Sequence, residues 1–119
     1  MASHNELGAL GEAISQEYLI ANQYKILEKN YRYQKAEVDL IAFKDGTLAA
    51  IEVKTRTSDF FGDPQDFVSA KKIKLLVSAI DHYVIENDLN VEVRFDIIAV
   101  IKNESETRIE HLENAFLYY

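Results

Sequence analysis

Apolar residues recur in this chain with two periods, one close to 3.6 and one of 2, and the switches between them divide it into helices and strands. Over residues 4–22, Leu7, Leu10, Ile14 and Tyr18 return every three or four places, which predicts a helix. Ser3 with Glu6 has the form of a capping box at its start. Tyr24–Tyr33 reads as a strand, and Gln34-Lys35-Ala36 as a turn. Two apolar runs, residues 37–43 and 48–54, then flank Asp45-Gly46, a strong hairpin signal. With those two residues at the centre of the turn, Phe43 faces Leu48, Ile41 faces Ala50, Asp39 faces Glu52 and Glu37 faces Lys54. Alternation puts these eight on one face and Val38, Leu40, Ala42, Ala49, Ile51 and Val53 on the other. Both faces are apolar near the turn, so the hairpin is expected at the centre of a sheet covered on both sides.

A loop follows over residues 55–65, with Gly62 and Pro64 as breakers and Phe60 and Phe61 as candidates for substrate contact or oligomer packing. Ser69 is positioned to cap a second helix running to about Asn87, whose apolar face is Ile73, Leu76, Val77, Ile80, Tyr83 and Val84. Lys71, Lys72 and Lys74 fall in its first turn, where cations oppose the helix dipole, so an anion partner and a merely solvated helix start are both open readings. Residues 91–101 and 107–112 read as the last two strands, and the terminal Ala-Phe-Leu-Tyr-Tyr is apolar enough to pack on the domain or on a second subunit. The order helix, three strands, helix, two strands predicts an α/β fold spanning residues 1–119 as one domain.

At the open end of the hairpin the apolar pattern gives way to Glu37, Asp39, Glu52 and Lys54. Directly opposed strand positions have Cβ atoms ~4.5–5.5 Å apart, and like charges that close destabilise one another. A hard divalent cation such as Mg²⁺, which takes oxygen ligands, relieves that repulsion between Asp39 and Glu52. Lys54 on the same face can orient a water or stabilise charge developing on a phosphate. The plainer alternative is a cross-strand ion pair at a solvated sheet end. Gly8 and Gly11 are costly in a helix, and close approach to the sheet or to a substrate backbone explains them best. They bring Glu12 to the side where the helix comes close. Arg56, two residues past Lys54, is within reach of a phosphate. Arg32 lies in a strand of interleaved tyrosines and bases, suited to nucleic acid or to a protected sheet edge.

Composition narrows the function classes. The chain has 119 residues and no cysteine, which excludes disulfides, thiol catalysis and cysteine-ligated metals. No apolar run reaches the ~20 residues of a membrane span, and the N-terminus lacks the features of a signal peptide, so a cytoplasmic protein with no membrane partner is expected. The net charge of −7 argues against tight nonspecific nucleic-acid binding. Its distribution softens that objection: residues 1–75 hold 10 Lys/Arg against 11 Asp/Glu, and residues 76–119 hold 3 against 9.

Several blocks, taken in order, resemble the YraN-like family of small bacterial proteins in the PD-(D/E)XK, restriction-endonuclease-like superfamily. They are Gly11-Glu12-Ala13, Glu37-Val38-Asp39-Leu40-Ile41, Glu52-Val53-Lys54-Thr55-Arg56, Gly62-Asp63-Pro64, Lys72 and Arg94-Phe95-Asp96. The resemblance implies a three-layer α/β/α fold with a mixed sheet of about five strands, akin to Holliday-junction resolvases. It also implies metal ligation by Asp39, Glu52 and the Val53 carbonyl, with Lys54 as the catalytic lysine and Glu12 as the helix carboxylate that completes the site. Glu37 and Lys72 match positions near such sites. The family usually has Gly where this chain has Ala36, which implies a narrower approach for a substrate backbone at the hairpin edge.

The resulting expectation is a Mg²⁺- or Mn²⁺-dependent nuclease hydrolysing phosphodiester bonds in DNA, with branched or structured DNA as one substrate class. Arg56 and Lys72 would grip phosphates. Resolvase-like cutting needs two sites on one substrate, for which a homodimer is the natural assembly. Two alternatives stand beside it: a catalytically silent domain that binds nucleic acid or a protein, and an interaction module whose acidic C-terminal part docks a basic partner.

Overall fold

The computed structural model describes residues 4–58 and 68–115. Its elements are α1 (His4–Ala21), β1 (Lys25–Tyr33), β2 (Ala36–Lys44), β3 (Thr47–Arg56), α2 (Ala70–Glu86), β4 (Glu92–Lys102) and β5 (Thr107–Leu112). These follow the expected order with bounds within two residues. The Ser3 half of the capping box, Phe60, Phe61, the Gly62-Asp63-Pro64 block and the last four residues lie outside the described residues.

The strands form one five-stranded sheet in the order β1-β2-β3-β4-β5. Antiparallel pairing joins β1 to β2, β2 to β3 and β4 to β5, whereas β3 and β4 are parallel. The change of direction has a covalent cause. Asp45 and Gly46 carry φ of 50° and 80°, the left-handed pair that a two-residue hairpin turn needs. A parallel neighbour cannot be reached by so short a turn, and α2 supplies the crossover.

Each helix covers one face of the sheet, giving three layers of an α/β protein. Leu76, Ala79, Ile80 and Tyr83 of α2 pack with Val38, Ile41, Leu48, Ala50, Phe95 and Ile97. On the other face Ile14, Tyr18 and Leu19 of α1 pack with Leu40, Ala42, Ala49, Ile51, Ile98 and Val100. Apolar runs on both faces of β3 and β4 therefore find cover, as the hairpin pattern required. The stripe expected for α1 is displaced: Leu10 is exposed, and the fully covered positions are Gly11, Ser15 and Leu19. The helix settles on its smallest residues because they let its backbone lie close to β3, with Ser15 Oγ donating inward to the Gly11 carbonyl at 2.8 Å.

Candidate active site

The hairpin register near the turn is the expected one, with Phe43 opposite Leu48 and Ile41 opposite Ala50. It does not continue to the open end. The ladder stops at Leu40 and Ile51, so Asp39 with Glu52 and Glu37 with Lys54 are not ladder pairs. Asp39 itself is the cause of the fork. Its Oδ2 accepts the Val53 N–H at 2.8 Å, filling the place of a strand carbonyl, and β2 and β3 part beyond it.

The same point breaks the alternation of β2. Val38 packs on the α2 side and Leu40 on the α1 side, whereas strict alternation assigns both to one face. Across the β1–β2 ladder, the pairs Lys29–Leu40 and Tyr31–Val38 bracket Asn30, whose φ is 52°. Asparagine tolerates this conformation better than most residues. With its amide nitrogen toward the carboxylates, Asn30 donates to Glu12 Oε1 at 3.1 Å and Glu37 Oε1 at 3.3 Å. Reasoning on the sequence missed Asn30; a turn-forming residue inside a strand pattern was the available signal.

The fork opens a cleft of about 210 Å³. Leu7, Gly8 and Glu12 of α1 form one wall, Asp39 the fork, and the run from Glu52 to Arg56 the other. Glu12, Asp39, Glu52, Val53, Lys54 and Arg56 are thus brought together. Arg32 and Glu37 are not among the lining residues; they pair with each other at 2.8 Å. Lys72 reaches the site from α2, its Nζ 2.6 Å from Glu52 Oε1, and Lys54 Nζ stands 3.9 Å from the same oxygen.

Glu52 is only 5% exposed, and its Oε2 is buried without a hydrogen-bond partner among the described residues. A buried carboxylate oxygen in that state is costly and marks a place for a cation, a proton or a water. Asp39 records the same excess of negative charge. Burial first, and the Glu52 charge second, push its carboxyl up to about 7, against the opposing pull of the Val53 N–H. Glu12 is raised as well, by burial and then by Glu37, with Asn30 partly compensating. Among the described residues no three carboxylate or histidine side chains form a complete metal cage. The donor set suits a hard cation held by two carboxylates and completed by a backbone carbonyl and waters.

The two glycines of α1 separate on inspection. A Cβ at Gly11 would stand 1.8 Å from Thr55 Oγ1, so Gly11 serves the helix–sheet contact. At Gly8 a Cβ would meet nothing within 4 Å among the described residues, and Gly8 lines the cleft. Sheet packing therefore explains one glycine and leaves the other facing open space.

A second polar cluster lies under α1. Asp96, fully buried, receives Arg94 at 2.9 Å, His111 at 2.8 Å and the Asn114 N–H at 3.0 Å. Arg94 also donates to the Tyr24 hydroxyl at 2.6 Å, and Tyr18 and His111 are joined at 3.0 Å. These groups partner one another and form a structural staple among α1, the α1–β1 connection, β4 and β5.

Fold and site together define an α/β/α protein with an acidic cleft where a central hairpin forks. The match to known sequences agrees in extent: the model of Uncharacterised protein family UPF0102 covers residues 11–100. The chain belongs to this YraN-like family. It is 60% identical over 119 residues to a UPF0102 protein of Christiangramia forsetii, and 56% to one of Flavobacterium psychrophilum, each covering all of both chains. A UPF0102 protein of Bacteroides fragilis is 43% identical over 116 residues, 98% of this chain and 96% of its own. No helix among the described residues is long and apolar enough to cross a membrane.

Proposed function

We propose that this protein is a Mg²⁺- or Mn²⁺-dependent nuclease of the PD-(D/E)XK type that hydrolyses phosphodiester bonds in DNA. The observation that carries this reading is the buried, unpartnered Oε2 of Glu52 in the same cleft as an Asp39 whose carboxyl is raised to about 7. Asp39 and Glu52 would hold the cation, with the Val53 carbonyl as third ligand. When bound, the ion lowers the pKa of a coordinated water and polarises the phosphate. Lys54 supplies positive charge beside the attacked phosphorus. Glu12 accepts a proton from the cleft, as its raised pKa fits it to do. Arg56, at the exposed end of β3, and Lys72, once it leaves Glu52, hold flanking phosphates. Branched or structured DNA is one substrate class for such a site, and cutting it would call for a homodimer that sets two sites on one substrate, acting in the cytoplasm.

The contact between Lys72 and Glu52 favours one competing reading. An internal ammonium already neutralises the carboxylate, as expected of a silent domain that binds nucleic acid or a protein without cutting.

Thermal unfolding with increasing Mn²⁺ tests the cation. The wild-type midpoint should rise and that of Asp39→Asn should not; equal responses would remove Asp39 from the site. Incubation with branched, single-stranded and duplex DNA tests the chemistry. Cleavage by wild type and its loss by at least a hundredfold in Lys54→Ala support the enzyme, whereas Mn²⁺ binding without cleavage leaves the silent domain.

A further inference from the structure

The geometry points to a nucleotide subsite beside the acidic cleft, between the β1–β2 turn and the start of α2, which seats the sugar and phosphate next to the bond that is cut. This inference rests on the nuclease reading and extends it to the strand's path. The space there measures about 290 Å³. That is at the lower limit, roughly 300 Å³, of pockets for small organic ligands, a size for one sugar and phosphate and not for several nucleotides.

Its lining has two chemistries. Ala36, Leu75 and Leu76 supply an apolar floor, and Lys35, Lys71 and Lys72 supply cationic groups around it. Glu37 also borders the space, and Arg32, paired with it at 2.8 Å, offsets part of its repulsion toward an anion. Lys35 and Lys71 have no ion-pair partner among the described residues. Two such ammonium groups repel a metal ion. A bare inorganic anion gains nothing from an apolar floor, whereas a nucleotide uses both parts, its phosphate on the lysines and its sugar against the methyl groups.

Lys72 ties this space to the acidic cleft. Lys72 belongs to the wall of this space, and its Nζ lies 2.6 Å from Glu52 Oε1 in the neighbouring cleft. The two spaces open toward different helices and have no lining residue in common, so Lys72 is their link: a nucleotide phosphate that draws its ammonium into this space releases Glu52 Oε1 in the cleft. The Ala36 methyl, where a glycine would leave a gap, becomes part of the surface the sugar rests on.

Methyl NMR of the full chain, without divalent metal, tests the subsite with thymidine 5′-monophosphate as probe. Leu75 and Leu76 methyl resonances should shift saturably, and Lys35→Ala with Lys71→Ala should weaken binding at least fivefold. Silent methyls, an unchanged affinity in the double variant, or equal shifts with inorganic phosphate alone would each overturn the subsite. Both lysines are exposed, so the variant should fold, and its Mn²⁺ response should match wild type. A wild-type chain that ignores Mn²⁺ defeats the nuclease reading; a normal Mn²⁺ response with no nucleotide effect defeats the subsite alone.

Discussion

Asp39 carries two burdens that pull in opposite directions. Its carboxylate replaces a strand carbonyl by accepting the Val53 N–H, yet its charge is held beside Glu52 with little solvent to screen it. A carboxyl raised in the fold from 3.8 to about 7 costs stability progressively as pH climbs between those values, and the penalty is complete above 7. Asp39→Asn keeps an acceptor for Val53 and removes the charge. It should therefore stabilise the metal-free protein at pH 8 by on the order of 2 kcal/mol, with little effect at pH 4, in denaturant unfolding. The glycines give a second contrast. Gly11→Ala should cost about 2 kcal/mol, because the new methyl overlaps Thr55. Gly8→Ala should gain about 0.5–1 kcal/mol from helix propensity while lowering DNA cleavage, since the methyl enters the cleft wall. An unchanged cleavage rate would show that nothing approaches Gly8.

Among the elements, the hairpin decides where chemistry is placed. Its turn end is held by left-handed Asp45 and Gly46 and by apolar pairs, and its open end is released by Asp39. Alternation along the sequence described the first half well and failed in the second, where a side chain supplants the backbone and Asn30 on the next strand leaves the extended region. Helix α2 is simpler. Ser69 accepts the Lys72 N–H at 3.1 Å, the cap expected from its position. Ser69→Ala should cost about 1 kcal/mol in thermal or chemical unfolding and, by fraying the first turn, loosen the Lys72 contact with Glu52. A variant as stable as wild type would show that packing of Leu76, Ala79 and Ile80 alone fixes the helix start.

Over the whole molecule, two carboxylates, Asp96 fully buried and Asp39 half-buried, shape the response to acid. Asp96 loses solvation by burial, but His111, Arg94 and the Asn114 N–H more than offset this and hold its carboxyl below the usual 3.8. Its contribution is present above that value and disappears as pH falls through the folded one. Asp39 has the opposite sign. Stability of the metal-free protein should accordingly rise from pH 8 toward 5 and fall again below 4. Asp96→Ala, which strands Arg94 and His111, should cost about 3 kcal/mol at pH 7 and abolish the acid arm while leaving the arm above pH 5. A flat profile in wild type would contradict both assignments.

The sequence by itself determined the elements, the central place of the hairpin and which residues could do chemistry. Those properties follow from local periodicity, from a turn only certain residues can make, and from the scarcity of carboxylates in apolar runs. Tertiary structure alone decided that α1 settles on Gly11 and Ser15 and not on Leu10, that Asn30 bridges Glu12 and Glu37, and that Lys72 lies on Glu52 across the layers. It also placed His111 against Asp96, 15 positions away on the next strand. Each of these joins residues distant in the chain through packing or an irregular backbone, and periodicity carries no information about which distant surfaces will meet.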